Sequence, residues 1–272
     1  MPEILEIKIP IQSINSTVVD LIHSETELSK QTIKSAMEKG CVWHQHGKKT
    51  KRVRRAKKIP NIGDIIHLYY NETILSSVPK SAELLMDKDS YSIWFKPSGV
   101  FSQGSKWGDH CAMTRLVEKS LNRPVFLVHR LDRATSGLML FAHNKKMARQ
   151  LSELFANRMI KKTYLAIVRG KHPKQNTVRQ PIDGKSAISH FQLIDEKNQQ
   201  SLLSVEIETG RKHQIRKHLS AAGYPILGDR LYGDANHNAQ DLALQAIRLE
   251  FISPITKQLI DVEIKAEKRI KL

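Results

Sequence analysis

The apolar positions of this chain change their period several times, and each change marks an element. Glu6 to Ile11 alternates apolar and polar side chains and predicts a short strand. Ser16 is placed to cap a helix carrying Val18, Val19, Leu21 and Ile22, and Ser29 to cap a second whose Ile33, Ala36 and Met37 share a face before Gly40 ends it. Cys41 to Gln45 reads as a strand, His46-Gly47 as a turn, and the segment to Lys58 as a return arm. Pro60 and Gly63-Asp64 then turn the chain into a strand over Ile65 to Tyr70. These elements make a small unit over residues 1–72. Residues 73–88 lack periodicity, contain Ser76, Ser77 and Pro79, and read as a linker.

From residue 89 the pattern is longer and more apolar, as expected of a second domain over 89–272. Strands are predicted over Ser92–Phe95, Pro124–Val128, Leu138–Ala142, Lys161–Arg169, Ser201–Glu208, Leu242–Phe251 and Leu259–Ile264. Cys111–Lys119 reads as a helix, and Asn144 caps another with a core stripe of Met147, Leu151, Leu154 and Phe155. The segment from Thr209 reads as a helix ended by Gly223, with Ile215, Leu219 and Ala222 facing the core and Arg216 beside them. An Arg in that position needs an acceptor. The polar run His129–Gly137 lies between two apolar strands, where a loop held at both ends stays open to a ligand. Strands and helices in this order make an α+β fold.

Charge adds a class of partner. The chain has 272 residues, 44 Lys and Arg against 27 Asp and Glu, and a net charge of +17, which favours a polyanion. Eight of the eleven residues from Lys48 to Lys58 are basic, and Lys48, Lys49, Lys51, Arg52, Arg54 and Arg55 form a candidate phosphate-binding stripe; otherwise they are a solvated loop. An apolar content of 40% excludes a disordered polycation. No stretch approaches the ~20 apolar residues of a spanning helix, and the first thirty residues lack a secretory layout, so no membrane and a cytoplasmic location are expected. Cys41 and Cys111 alone support neither a disulfide scaffold nor a four-cysteine zinc site, and no metal is expected.

Two resemblances sharpen the picture. Helix, helix, hairpin and a strand introduced by Gly-Asp, with the phrases LSKQTIKSAMEKG and IPNIGDII, resemble the S4-type RNA-binding module, although His46-Gly47-Lys48 stands where that family usually has Asn-Gly-Lys. The strings FKPSGV, HRLDRATSGLMLFA, KKTYLAIV, TGRKHQIRKHL and GYPILGDRLYG resemble, in order and over about residues 90–272, the RluA-type pseudouridine synthases. One departure is Leu244-Gln245-Ala246, where that family more often has Leu-His-Ala.

The second resemblance implies a mixed, mainly antiparallel sheet with flanking helices, conversion of uridine to pseudouridine within RNA, and no cofactor, because the reaction is neither redox nor hydrolytic. It implies Asp132 as the essential carboxylate, acting as nucleophile or base. It implies Arg216 as its partner and Tyr164 as the ring packed on the target base. His129 and Arg130 would hold the nucleotide flipped from the stack, and Arg133, Arg211 and Lys212 would bind phosphates nearby, with Lys217 adding to them. The expected partner is structured RNA, ribosomal RNA before transfer RNA, bound by a monomer. The competing readings are a non-catalytic RNA-binding protein that keeps the fold and a ribosome-assembly factor. A zinc deaminase is excluded by the absence of Cys-x-x-Cys.

Overall fold

The computed structural model describes residues 3–13, 15–233 and 241–272. It divides into two units, one of residues 1–80 and 103–120, the other of 81–102 and 121–272. This division is not the linear one expected from the sequence. Residues 103–120 cluster with the first unit, and the segment read as a linker holds a short helix and a strand.

In the first unit, strands β1 (Ile4–Pro10), β2 (Val42–His46), β3 (Lys49–Arg52) and β4 (Ile65–Asn71) form an antiparallel sheet in the order β1-β4-β2-β3. Helices α1 (Val18–Ser24) and α2 (Lys30–Glu38) bury Val18, Val19, Ile22, Ile33, Ala36 and Met37 in one cluster with Cys41, Val42, Ile66 and Leu68 of the sheet segments. The cap of α1 is Thr17 rather than Ser16: its hydroxyl accepts the Asp20 N–H at 3.2 Å. Ser29 caps α2 as expected, accepting from the Thr32 N–H at 3.1 Å. A one-turn helix, α3 (Glu72–Leu75), follows β4, and α4 (Met113–Leu121) begins in the 103–120 segment.

The second unit is built on a sheet of ten strands. They are β5 (Glu83–Asp87), β6 (Tyr91–Lys96), β7 (Phe126–Leu127), β8 (Ser136–Ala142), β9 (Lys161–Arg169), β10 (Gln175–Val178), β11 (Ser189–Lys197), β12 (Gln200–Ile207), β13 (Leu244–Ile252) and β14 (Leu259–Glu263). The main order is β10-β11-β12-β9-β13-β8-β6-β5, with β14 paired to β13 and β7 to β8. Only β13 and β8 pair in parallel, through Gln245–Ser136 and Ala246–Gly137, so the sheet is mixed and mainly antiparallel as expected. Gly137 makes that junction possible. At φ +122° a Cβ there would lie 2.2 Å from the Ala246 carbonyl oxygen, which no side chain tolerates.

Helix α5 (Lys145–Ala156), capped by Asn144, buries Met147 and Leu151 in a cluster with Leu138, Leu140 and Leu165. Helix α6 (Gln214–Ala221) starts later than its apolar spacing suggests. His213 takes a left-handed φ of 56°, which ends any helix through Thr209–Lys212, and Ala222 is exposed rather than core-facing. Gln214, 3% exposed, anchors this start: its carbonyl oxygen accepts from Thr209 Oγ1 and the Arg211 N–H, and its amide donates to Ile188 O and Ser189 Oγ. No helix among the described residues is long and apolar enough to cross a membrane.

Candidate active site

The loop carrying Asp132 is fastened from below by the turn after β6. Ser102 Oγ donates to Leu131 O at 2.6 Å and accepts the Leu131 N–H at 3.0 Å. Ser98 Oγ donates to Ala134 O, and the Gly99 N–H donates to Arg133 O at 2.8 Å. Lys96 is fully buried, and its ammonium donates to the carbonyls of Pro97, Val100 and Arg133 at 3.1, 2.8 and 3.1 Å. Three carbonyl partners match the three donors of an ammonium, which is what makes its burial tolerable. The loop is therefore rigid from Leu131 to Ala134, while the Asp132 carboxylate stays 28% exposed.

That carboxylate faces α6. Arg216 Nη1 stands 3.5 Å from Asp132 Oδ2, and His213 Nε2 stands 3.7 Å from Oδ1. Arg216 is only 5% exposed, and its stronger contacts are to Asp229: Nε donates to Oδ2 at 2.8 Å and Nη2 to Oδ1 at 2.6 Å. Asp229 Oδ1 also accepts the N–H groups of Leu231 and Tyr232. Burial alone would raise the Asp229 carboxyl pKa, but the Arg216 hydrogen bonds and these amides lower it below the ordinary carboxylate value. The same pairing raises the Arg216 pKa against burial. The pair is an ion pair throughout the physiological range, and it leaves one guanidinium nitrogen for Asp132.

Tyr164, on β9 opposite Val205 and Ala246, lines the same cleft as Asp132, Arg216 and His213. Burial, with the Asp132 charge adding to it, pushes its phenol above the usual range. Arg130 and Arg211 also line the cleft. Arg130, Arg133 and Lys212 are exposed, whereas Arg211 is half-buried, its Nε donating to Ser186 O. Arg133 also donates to Gly99 O and lies 4.8 Å over the exposed Phe101 ring. Lys217, read as a further phosphate contact, is paired with Asp183 at 3.0 Å.

Three expected RNA contacts are corrected by their surroundings. His129 Nε2 accepts the Leu140 N–H at 2.9 Å and its ring stacks on Phe155 at 4.5 Å, so the imidazole is a neutral strut of the sheet. Burial, with Lys162 nearby, pushes its pKa down to about 3. Arg52 donates to Gly40 O and Ser105 O and lies 4.2 Å over Trp43. Arg54 binds Asp109 at 2.6 Å and Glu38 O at 2.7 Å. These two guanidiniums hold the 103–120 segment and α2 within the first unit and are committed there. Lys48, Lys49, Lys51 and Arg55 remain exposed. Residue types alone hide this division; the missing signal is Asp109, which only the fold brings to the block.

Two site residues escaped sequence reasoning. Asp229 reads as a turn former after Gly228, and His213 as a surface residue. The need of a buried Arg216 for an acid is legible and points to some Asp; which Asp is set by tertiary structure. Among the described residues no group of three or more His, Cys, Asp or Glu stands where it could hold a metal ion.

The family model described as RNA pseudouridylate synthase matches residues 90–221. A tRNA pseudouridine synthase C from Haemophilus ducreyi is 34% identical over 205 residues, covering 61% of this chain and 84% of the relative. A ribosomal large subunit pseudouridine synthase D from Zymomonas mobilis is 28% identical over 291 residues, covering 91% and 89%. The solved human RNA pseudouridylate synthase domain containing 4 superposes with a TM-score of 0.57 at 25% identity, covering 67% of this chain and 88% of that one. A loop-borne carboxylate facing an anchored arginine thus sits in a chain that belongs to the RNA pseudouridylate synthase family, a family of isomerases.

Proposed function

We propose that this enzyme isomerises a uridine presented by structured ribosomal RNA, with Asp132 as its essential carboxylate. The observation that carries the assignment is the Asp132 carboxylate, exposed on a braced loop and within 3.5 Å of an arginine whose other nitrogens are already bound. In the reaction the bond from uracil N1 to ribose C1′ breaks, the base turns, and C5 bonds to C1′. C5 loses its proton and N1 gains one, so the product is an isomer. Asp132 serves at the sugar or the base, and Arg216 keeps it ionised and oriented. Tyr164 packs on the base and is held protonated, suited to a late proton transfer at C5.

The target must leave its stack, at a cost of a few kcal/mol. Exposed Arg130 is the group best able to fill the gap and stack on neighbouring bases, and Arg133, Arg211 and Lys212 supply cationic contacts at the rim. The first unit acts as an S4-like module holding RNA phosphates through Lys48, Lys49, Lys51 and Arg55.

Ribosomal RNA is favoured over transfer RNA for one reason. The relative aligned along nearly the whole chain, first unit included, carries a ribosomal name, while the relative named for tRNA aligns over a smaller part. Mapping pseudouridines in total RNA from cells with and without the gene tests this. Loss of a site in ribosomal RNA is expected; loss confined to transfer RNA would overturn the target assignment, and no loss in any RNA would favour the non-catalytic reading.

A further inference from the structure

His213 lies outside the roles assigned above, yet its surroundings are specific. Its Nε2 faces Asp132 Oδ1 at 3.7 Å, while Arg216 Nη1 faces the other oxygen, Oδ2, at 3.5 Å. On the far side of the ring, Nδ1 lies 2.9 Å from the Tyr232 hydroxyl, and the two rings meet edge-on at 5.6 Å. Tyr232 in turn donates its N–H to Asp229 and lies beneath the Arg216 guanidinium at 5.2 Å. One brace therefore supports both groups that face the carboxylate.

We propose that His213 is a positioning residue for Asp132, bracketing the carboxylate together with Arg216, one donor to each oxygen, with Tyr232 fixing the imidazole tautomer. This rests on the reading of Asp132 as the reacting carboxylate. The tautomer follows from electrostatics. An unprotonated Nε2 would aim its lone pair at a carboxylate oxygen, whereas Nε2–H is attracted to it. Nδ1 is then the acceptor and the Tyr232 O–H the donor. Both approaches to Asp132 are longer than a good hydrogen bond, and such contacts tighten when substrate closes the site. Held at both oxygens, the carboxylate has one orientation and keeps lone pairs free for the sugar or base. The left-handed backbone at His213 turns the chain into α6 at this point, so the residue serves two ends at once.

The groups that bear on the ring's charge are Asp132, Asp229, Arg216 and Lys212, with the Tyr232 hydroxyl hydrogen-bonded to it. Burial, with Arg216 and Lys212, lowers the His213 pKa against the pull of Asp132 and Asp229, so the ring is neutral at pH 7. As pH falls it gains a proton, Asp132 becomes clamped between two cations, and its reactivity drops. The acidic limb this creates lies below the ordinary imidazole value of about 6.5.

The test uses the full chain and RNA from cells lacking the gene, tritiated at uracil C5. It follows tritium release in single turnovers at saturating enzyme, across pH 5 to 8. Wild type should show the acidic limb. His213→Asn tolerates the left-handed backbone but is too short to reach Tyr232 and Asp132. It should lose about tenfold or more in rate, lose the limb, and bind RNA within about twofold of wild type. His213→Gln restores a donor and should recover part of the rate without the limb. Tyr232→Phe, which keeps the ring, should slow the step and alter the limb. If His213→Asn matches wild type in rate and profile, the inference is wrong. Should that variant not fold, wild-type behaviour of both His213→Gln and Tyr232→Phe overturns it equally. Wild-type activity of Asp132→Asn would instead sink the reading of the site itself.

Discussion

Arg216 gives two of its nitrogens to Asp229, at 2.8 and 2.6 Å, and leaves Nη1 3.5 Å from Asp132. Asp229, at 2% exposure, is not open to substrate, so its effect passes through the guanidinium it holds. Asp229→Asn keeps the shape but removes the charge and turns an amide toward a cation. Breaking one side of a buried pair costs about 3–5 kcal/mol of stability. The reaction rate at saturation should fall by roughly 10–100-fold, as when the support of a working group is lost. Urea melts and single-turnover rates check the two effects separately.

The basic block divides into two functions that charge counting merges. Alanine at Lys48, Lys49, Lys51 and Arg55 should leave the melting temperature nearly unchanged. It should flatten the slope of log affinity against log salt by roughly 3, at about 0.7–0.9 per phosphate contact. Alanine at Arg54 should act oppositely: little change in salt slope, but a loss of stability, because Asp109 loses its 2.6 Å partner. Filter binding over a salt series and thermal melts of both variants distinguish these outcomes.

His129 predicts a pH dependence of stability. Its pKa in the fold, about 3, lies far below the ordinary 6.5, so the unfolded chain binds a proton that the folded one refuses. This contribution to stability is full above pH 6.5 and is lost as pH falls through the window from 6.5 to 3. His129→Leu should flatten that part of the curve while lowering stability at neutral pH, since the Leu140 N–H loses its acceptor. Denaturation midpoints between pH 5 and 8 measure both.

Much of the second unit was legible because its central strands are apolar throughout. Tyr91–Lys96, Ser136–Ala142 and Lys161–Arg169 stand out from polar flanks, and Asn144 caps α5 where its position suggests. Strands β10 and β11 were not legible. At the end of the sheet they are largely exposed, so no apolar run marks them. The start of α6 was misplaced because apolar spacing continues past a residue whose backbone is left-handed. At the site, Asp132 and Arg216 are recognisable from their motifs, whereas Asp229 and His213 gain meaning only from neighbours distant in the chain. Arg52 and Arg54 make the converse point: a run of charge does not reveal which members a buried acid claims.

The central claim is that RNA binding and chemistry separate at one carboxylate. Asp132→Asn should be expressed, in cells lacking the gene, beside the wild-type chain, and pseudouridine read at the site the deletion loses. The account predicts that the variant binds the RNA with affinity close to wild type and restores no pseudouridine, while wild type restores it fully. Restoration by Asp132→Asn at the wild-type rate would contradict the account.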